Sequence, residues 1–347
     1  VPSHFLYRPI EAPSRAYHQL ALAKQQQLTK PAGSLGRLES LAVELAAHQH
    51  REKPELDSCH ITIFAADHGI AQHSVSAFPQ AVTQEMIRNF ARGGAAINVL
   101  AKENNASLDI VNLGTIERME ELAGVSQLQI SAGTADFSQQ PAMSRNQYQQ
   151  AVQAGYAVGS SYQRGQVFIA GEMGIGNTSS AAALAAAILG CDCSTLVGAG
   201  TGIAAAQKVQ KQALIETALQ RCSQLGELSP EQWLQQLGGL EIAAMSASFI
   251  AAAQRGVSIL LDGYICCAAA LVACKINPGL QPWLIASHRS QEPGHQLILD
   301  ELRLQAILDL QLRLGEGSGA ALCIHILKQA CSLHNNMATF AEAGVSQ

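Results

Sequence analysis

Apolar positions along this chain keep two different rhythms. Five short apolar runs read as buried strands: residues 60–66 (HITIFAA), 108–113 (LDIVNL), 166–171, 257–261 and 282–286. β-Branched and aromatic side chains recur in them, as a pleated, buried surface favours. Residues 128–131 and 195–197 give two shorter strand signals. Between the runs, apolar residues recur at helical spacing over 81–90, 95–103, 144–164, an Ala-rich stretch to Leu189, 242–254 and 264–275. Strands that alternate with helices from His60 to Ser290 predict an α/β fold with a mostly parallel, doubly wound sheet.

The two ends of the chain show only the helical rhythm. Residues 16–27 and 35–50 read as amphipathic helices, separated by a Pro-Gly break in which Ser34 is placed to cap the second. Residues 297–314 read as Leu-rich and helical, and an Ala-rich helix covers 320–330. With no strand to join, these parts are expected to pack together. The predicted division is a small helical domain from 1–55 and 318–347, beside an α/β domain at 56–317.

Composition narrows the function classes. Of 347 residues, 48% are hydrophobic and 14% charged, which is a globular balance with enough apolar surface for a sizeable core. A net charge of −5 offers no basic surface for nucleic acid. No apolar run is long and clean enough for a membrane span, and residues 1–11 lack the pattern of a signal peptide. The nine cysteines are odd in number and lie mostly in apolar segments, which points to reduced thiols and a cytoplasmic setting. Cys191-Asp192-Cys193 is a single pair without a second, so no metal site is expected.

Candidate chemistry gathers where strands end. Asp67 and His68 follow the first strand, Asp262 the strand at 257–261, and His288 and Ser290 the last. In parallel sheets such positions open onto the ligand crevice. Asp67 and His68 read equally well as a structural pair that anchors their loop. After residues 166–171 comes Glu172-Met173-Gly174-Ile175-Gly176-Asn177-Thr178 and then a helix. A strand, a glycine turn and a helix start present free N–H groups and a helix dipole to an anion. Gly198-Ala199-Gly200-Thr201-Gly202 forms a second glycine loop, followed by a helix with Lys208 and Lys211. Neither loop is a phosphate-binding Gly-Lys-Ser/Thr motif or a full dinucleotide fingerprint. Near the C-terminus, Arg313-Leu314-Gly315-Glu316-Gly317-Ser318-Gly319-Ala320 sets one carboxylate among glycines, with Ser318 placed as an N-cap.

Several of these motifs occur in a family order: Lys30-Pro31-Ala32-Gly33-Ser34-Leu35-Gly36-Arg37-Leu38-Glu39, Ala66-Asp67-His68-Gly69, the Gly171–Thr178 loop, Leu261-Asp262-Gly263, Ser287-His288 and the Glu316 turn. From about Lys30 onward the chain resembles the nicotinate-nucleotide–dimethylbenzimidazole phosphoribosyltransferase family. The resemblance implies a Rossmann-like domain with a small helical domain, a homodimer, and no cofactor. It implies transfer of phosphoribose from nicotinate mononucleotide to 5,6-dimethylbenzimidazole, with Glu316 as general base. Glu172, Gly174, Gly176, Asn177, Thr178, Gly198, Gly200, Thr201, Gly202, Lys208, Ser290, Gly315 and Gly317 are then expected around the nucleotide. Phe78, Met86 and Leu314 are expected around the base.

By position, Phe78 and Met86 replace a Ser and a Gln of the best-known members, so the polar contact to the base is gone. Phe78 suits stacking on a flat ring, and Met86 reads as filler or as plain core. A purine or a phenolic ring therefore stays open as the acceptor. Two readings of other classes also stay open on the residues alone. One is a nucleotide-binding module without catalysis, against which Glu316 and both glycine loops stand intact. The other is an NAD-dependent oxidoreductase, against which no complete fingerprint with a downstream acid is present.

Overall fold

The computed structural model describes residues 3–56, 58–198, 200 and 202–346. Its centre is a six-stranded sheet of β1 (Cys59–Ala66), β2 (Ser107–Gly114), β3 (Val125–Gln127), β4 (Val167–Met173), β5 (Ser258–Leu261) and β6 (Leu284–Ala286). All pairings are parallel, in the order β3-β2-β1-β4-β5-β6. The order reverses between β1 and β4, and open sheets of this kind take ligands outside the carboxyl ends of the strands at that point.

Helices precede, link and follow the strands. They are α1 (Arg15–Gln27), α2 (Arg37–Gln49), α3 (Val82–Arg92), α4 (Ala96–Asn104), α5 (Arg145–Gly159), α6 (Asn177–Leu189) and α7 (Ala205–Ser223). Then come α8 (Pro230–Leu237), α9 (Leu240–Gln254), α10 (Tyr264–Ile276), α11 (His295–Leu302), α12 (Ser318–Asn336) and α13 (Phe340–Ala343).

The strands sort their side chains between two cores by simple alternation. Phe64, Phe168, Ile259, Leu261 and Leu284 face a core shared with α5, α6, α9 and α10. Ile61, Ile63, Ile169, Leu260 and Ile285 face the opposite core, shared with α2, α3, α4 and α12. Strand residues point alternately to opposite faces, so a run apolar at every position is buried on both. α9 is apolar nearly all round and is buried along its length. It comes close to α5 because Gly155 and Gly159 lie one turn apart there; a Cβ at either would strike the carbonyl of Ala244 or Ser248. At the termini, α1 packs on α2, and α2 on α12.

Three elements differ from expectation. Residues 195–197 are not a strand: a 3-10 turn covers Cys193–Thr195, started by the Asp192 carboxylate, which accepts the Ser194 N–H at 2.8 Å. The strand signal at 128–131 moves to Val125–Gln127, where β2 offers a partner. The helix expected over 297–314 stops at Leu302, and Arg303 turns left-handed at φ 55°. Residues beyond it run extended beside the chain after β6, with N–H groups of Arg289 and Gln291 donating to the carbonyls of Leu308 (2.8 Å) and Leu312 (3.0 Å). The sequence there reads Leu304-Gln-Ala306-Ile-Leu308-Asp-Leu310-Gln-Leu312-Arg-Leu314, a period of two that signals an extended strand.

Candidate active site

A cavity of about 430 Å³ opens at the carboxyl edge of the sheet. β4 delivers Glu172 to its wall, and the turn before α12 delivers Glu316. Phe78, Met86, Gly174, Asn177, Thr178, Gly200, Ser290, Leu314 and Gly315 also line it. The remaining expected site residues do not. Gly176 starts α6 in the left-handed region (φ 100°), Gly198 packs on Glu292, and Gly202 faces open space. Gly317 lies against Ile169 and Gly171, and Thr201 lies outside the described residues. Lys208 is half-buried on α7 away from the cavity wall.

The cation that reaches the glycine loops is Lys211, one turn further along α7. Its Nζ donates to Thr178 Oγ1 at 2.7 Å, and the side chain is fully buried. Burial lowers its pKa to about 8, while Glu292 opposes that shift. Glu292 is itself buried and accepts the Gly200 N–H at 3.0 Å. Neither role is marked in the sequence. The helix offers two lysines, and only packing shows which one turns inward. Glu292 lies in a polar loop with no local pattern to mark it.

Glu172 is buried beside its partner Asn177, whose Nδ2 donates to Oε2. Burial first, and then the charge of Asp262, push its pKa to about 8. Glu316 is buried too, and its Oε2 has no partner among the described residues. Burial raises its pKa, the Ile97 N–H pulls it back, and Asp262 raises it further. Its backbone is left-handed at φ 62°, between Gly315 at 87° and Gly317 at 80°. Only glycine adopts that conformation at little cost, so a Glu there must be held.

The holder is Asp262, at the end of β5. Its carboxylate accepts the Gly317 N–H at 3.1 Å and the Ala320 N–H at 3.0 Å. Those are first-turn donors of α12, so the expected N-cap at Ser318 is replaced: Ser318 lies inside the helix, and its buried Oγ makes no bond among the described residues. His288 Nδ1 stands 3.8 Å from Asp262 Oδ1, and its ring packs on Gly319, where a Cβ would collide. Asp67 and His68 serve the loops around the site. Asp67 accepts the Ile116 N–H at 2.9 Å, and His68 Nε2 meets Glu241 Oε1 at 2.6 Å, fully buried. The His68 carbonyl accepts Gln80 Nε2 at 2.9 Å, and Thr83 Oγ1 accepts the Ile175 N–H at 3.1 Å. The base-side loop and the nucleotide-side loop are therefore tied to each other.

Phe78 and Leu314 stand at the cavity mouth, 53% and 60% exposed. Val82 and Met86 continue the apolar wall inward from them. The nine cysteines are free, with no disulfide among the described residues. Cys193 meets Asp192 and Glu216, and Asp192 is already engaged as a turn cap. No helix among the described residues is long and apolar enough to cross a membrane.

A family model described as a phosphoribosyltransferase matches residues 10–345. The nicotinate-nucleotide–dimethylbenzimidazole phosphoribosyltransferase of Pseudomonas putida strain KT2440 is 54% identical over 328 residues, covering 94% of this chain and 93% of the relative. The enzyme of the same name from Pseudomonas aeruginosa strain UCBPP-PA14 is 53% identical over 328 residues, again covering 94% of this chain and 93% of the relative. Among solved structures, CobT from Thermus thermophilus superposes with a TM-score of 0.91 at 39% identity, covering 96% of this chain and 99% of the other.

Proposed function

This chain belongs to the nicotinate-nucleotide–dimethylbenzimidazole phosphoribosyltransferase family, and on that premise we propose how its residues perform the transfer. The reaction moves phosphoribose from nicotinate mononucleotide to 5,6-dimethylbenzimidazole, giving α-ribazole 5′-phosphate and nicotinate, in cobalamin synthesis. The observation that carries the assignment of roles is Glu316, a buried carboxylate of raised basicity on the cavity wall, with one oxygen unpartnered among the described residues.

In nicotinate mononucleotide the pyridinium ring is already cationic. Its ring nitrogen takes the bonding pair and leaves uncharged, so it needs no general acid, and no pyrophosphate leaves that would call for a divalent ion. One ring nitrogen of dimethylbenzimidazole attacks C1′ with inversion while Glu316 takes the proton from the other. General base catalysis of this kind is worth about 10²–10⁴-fold. Burial suits the base to the task, because a carboxylate with a raised pKa holds the proton it receives.

The phosphate is assigned to the start of α6, where the Gly176 N-cap has no side chain and the N–H groups of Asn177 and Ser179 turn back to the carbonyls of Gly174 and Gly176. Lys211 supplies the cation beside Thr178. Glu172 lies between the two ends of the cavity. With its pKa near 8 it is neutral at pH 7 and donates a hydrogen bond to the nucleotide without repelling its phosphate. Phe78, Leu314, Val82 and Met86 enclose the flat face of the base. The same reading, from the family resemblance, makes the protein a cytoplasmic homodimer. It treats 1–55 with 318–347 as a helical unit beside 56–317, supported by the packing of α2 on α12.

The test is nicotinate release from nicotinate mononucleotide, with and without dimethylbenzimidazole, and with a panel of purines and phenols. Release that depends on dimethylbenzimidazole supports the full reading. Preferred release with another base would move the acceptor and place the change at Phe78 and Met86. No release with any base, while the nucleotide binds, would sink the catalytic assignment.

A further inference from the structure

The Asp262 carboxylate touches neither the phosphate end nor the base end of the cavity wall. It is nevertheless buried and bound to the backbone beside one residue that does. Resting on the assignment of Glu316 as the base, we propose that Asp262 is its positioning residue: by holding the N–H groups of Gly317 and Ala320 it fixes the left-handed Gly315–Gly317 turn, and it sets a second buried acid behind that turn.

The geometric half follows from the backbone. Three consecutive residues stand at φ 87°, 62° and 80°; the carbonyls of Gly315 and Gly317 accept the Ser318 and Ala321 N–H groups as α12 begins, and the middle residue carries a Cβ. A non-glycine residue is disfavoured there because its Cβ crowds the following carbonyl. Two hydrogen bonds from the end of β5 tie the turn to the sheet. Gly171 completes the seat: a Cβ there would strike the Glu316 carbonyl, so β4 closes directly against the turn. A base displaced by about 1 Å from its proton loses on the order of 10²-fold in rate.

The electrostatic half follows from who faces Asp262. His288 approaches from beyond β6 and Glu172 from β4; Glu316 lies on the turn itself. The thiols of Cys266 and Cys267 on α10, and of Cys323 on α12, complete the surround. At the mouth, Arg313 is the one cation on the cavity wall near the turn among the described residues. Burial raises the pKa of Asp262 itself, while His288 and the N–H groups of Ala320, Gly263 and Gly317 hold it down. A like charge behind a carboxylate disfavours its ionised form, so Asp262 when ionised raises the proton affinity of both Glu316 and Glu172.

The experiment compares Asp262→Asn with Gly317→Ala, each first titrated for nicotinate mononucleotide binding so that rates refer to folded sites. Asp262→Asn offers one acceptor and removes the charge. Its kcat is expected to fall about 10²-fold, with KM for the nucleotide changed less than about threefold. The acid limb of its kcat profile should move to lower pH, because Glu316 loses the charge that keeps it basic. Gly317→Ala strains the turn without touching the charge; the new Cβ meets only ordinary contacts, the nearest at 3.4 Å. Its kcat is expected to fall with the acid limb unmoved. Unchanged kcat in folded Gly317→Ala, or an unmoved acid limb in Asp262→Asn, would overturn the proposal. Should Asp262→Asn fail to bind nucleotide because it does not fold, Gly317→Ala still decides the geometric half. Full activity in Glu316→Gln would instead overturn the base assignment itself, so the two failures are distinguishable.

Discussion

Two glycine-rich turns meet at this cavity, and both open a helix. At residues 174–178 the Gly176 N-cap of α6 has no side chain, and Thr83 Oγ1 and backbone carbonyls take the N–H groups of Ile175, Asn177 and Ser179; at 313–319 the start of α12 is capped by the buried Asp262 carboxylate. Each helix end carries partial positive charge on its free N–H groups. In α6 no carboxylate cap is bound among the described residues, and on the proposed reading the phosphate lies there. In α12 that charge is already satisfied from within, and the turn serves instead to hold a carboxylate in a left-handed conformation. On the proposed reading the same local device serves a substrate anion in one place and a catalytic anion in the other. What separates them is whether the end of a neighbouring strand supplies a carboxylate.

Glu316→Gln should separate the two turns most clearly. It is expected to lower kcat by about 10²–10⁴-fold and to leave nicotinate mononucleotide binding nearly intact by calorimetry. Comparable loss of both would mean the turns do not divide the labour. Lys211→Met should act on the other turn. A charge-assisted hydrogen bond is worth about 1.5–3 kcal/mol, so KM for the nucleotide should rise about 10–100-fold with a smaller change in kcat. An effect confined to KM for the base would place the phosphate elsewhere.

Glu172, between the turns, predicts a pH dependence of stability. Its folded pKa of about 8 lies above the ordinary 4.5, so the folded state holds this proton more tightly than the unfolded chain. Below pH 4.5 both states are protonated and burial costs nothing extra. As pH rises from there to about 8, the unfolded chain ionises first and stability is lost. Denaturant unfolding of wild type against Glu172→Gln should therefore show the variant gaining on the wild type between about pH 6 and pH 8, by on the order of a few kcal/mol. Parallel curves would show that Glu172 is not held neutral.

Phe78→Ala should have the smallest effect of the substitutions. Aromatic contacts contribute about 0.5–1.5 kcal/mol, so KM for dimethylbenzimidazole should rise roughly 2–10-fold, with nucleotide binding unaffected. Chelation of divalent metals should leave the rate unchanged, since a departing ring nitrogen that ends uncharged needs no Lewis acid; loss of activity restored by added Mg²⁺ would contradict the chemistry.

Much of this arrangement is legible along the chain. Strand runs such as HITIFAA carry their own signature, and Glu172 and Glu316 stand out beside glycines at a strand end and a helix start. The chain past Leu302 reads as helix because leucine favours helices, although alternation at every second residue from Leu304 to Leu314 gives the correct period. Helical spacing offers Lys208 and Lys211 alike, and only packing against Thr178 selects the second. Ser318 reads as the cap of α12 because serine does so locally, yet Asp262 takes the amides from a distant strand.

The positions of strands, helices and glycine turns follow from the order of residues, since local sterics and hydrophobic period act within a few residues. The strand order, the burial of Lys211, and the meeting of Asp262 with the Glu316 turn come only from long-range packing. The proton affinities of Glu172 and Glu316 belong to that second class. They arise from desolvation and from charges far away in the chain, and neither exists until the sheet brings the strand ends together.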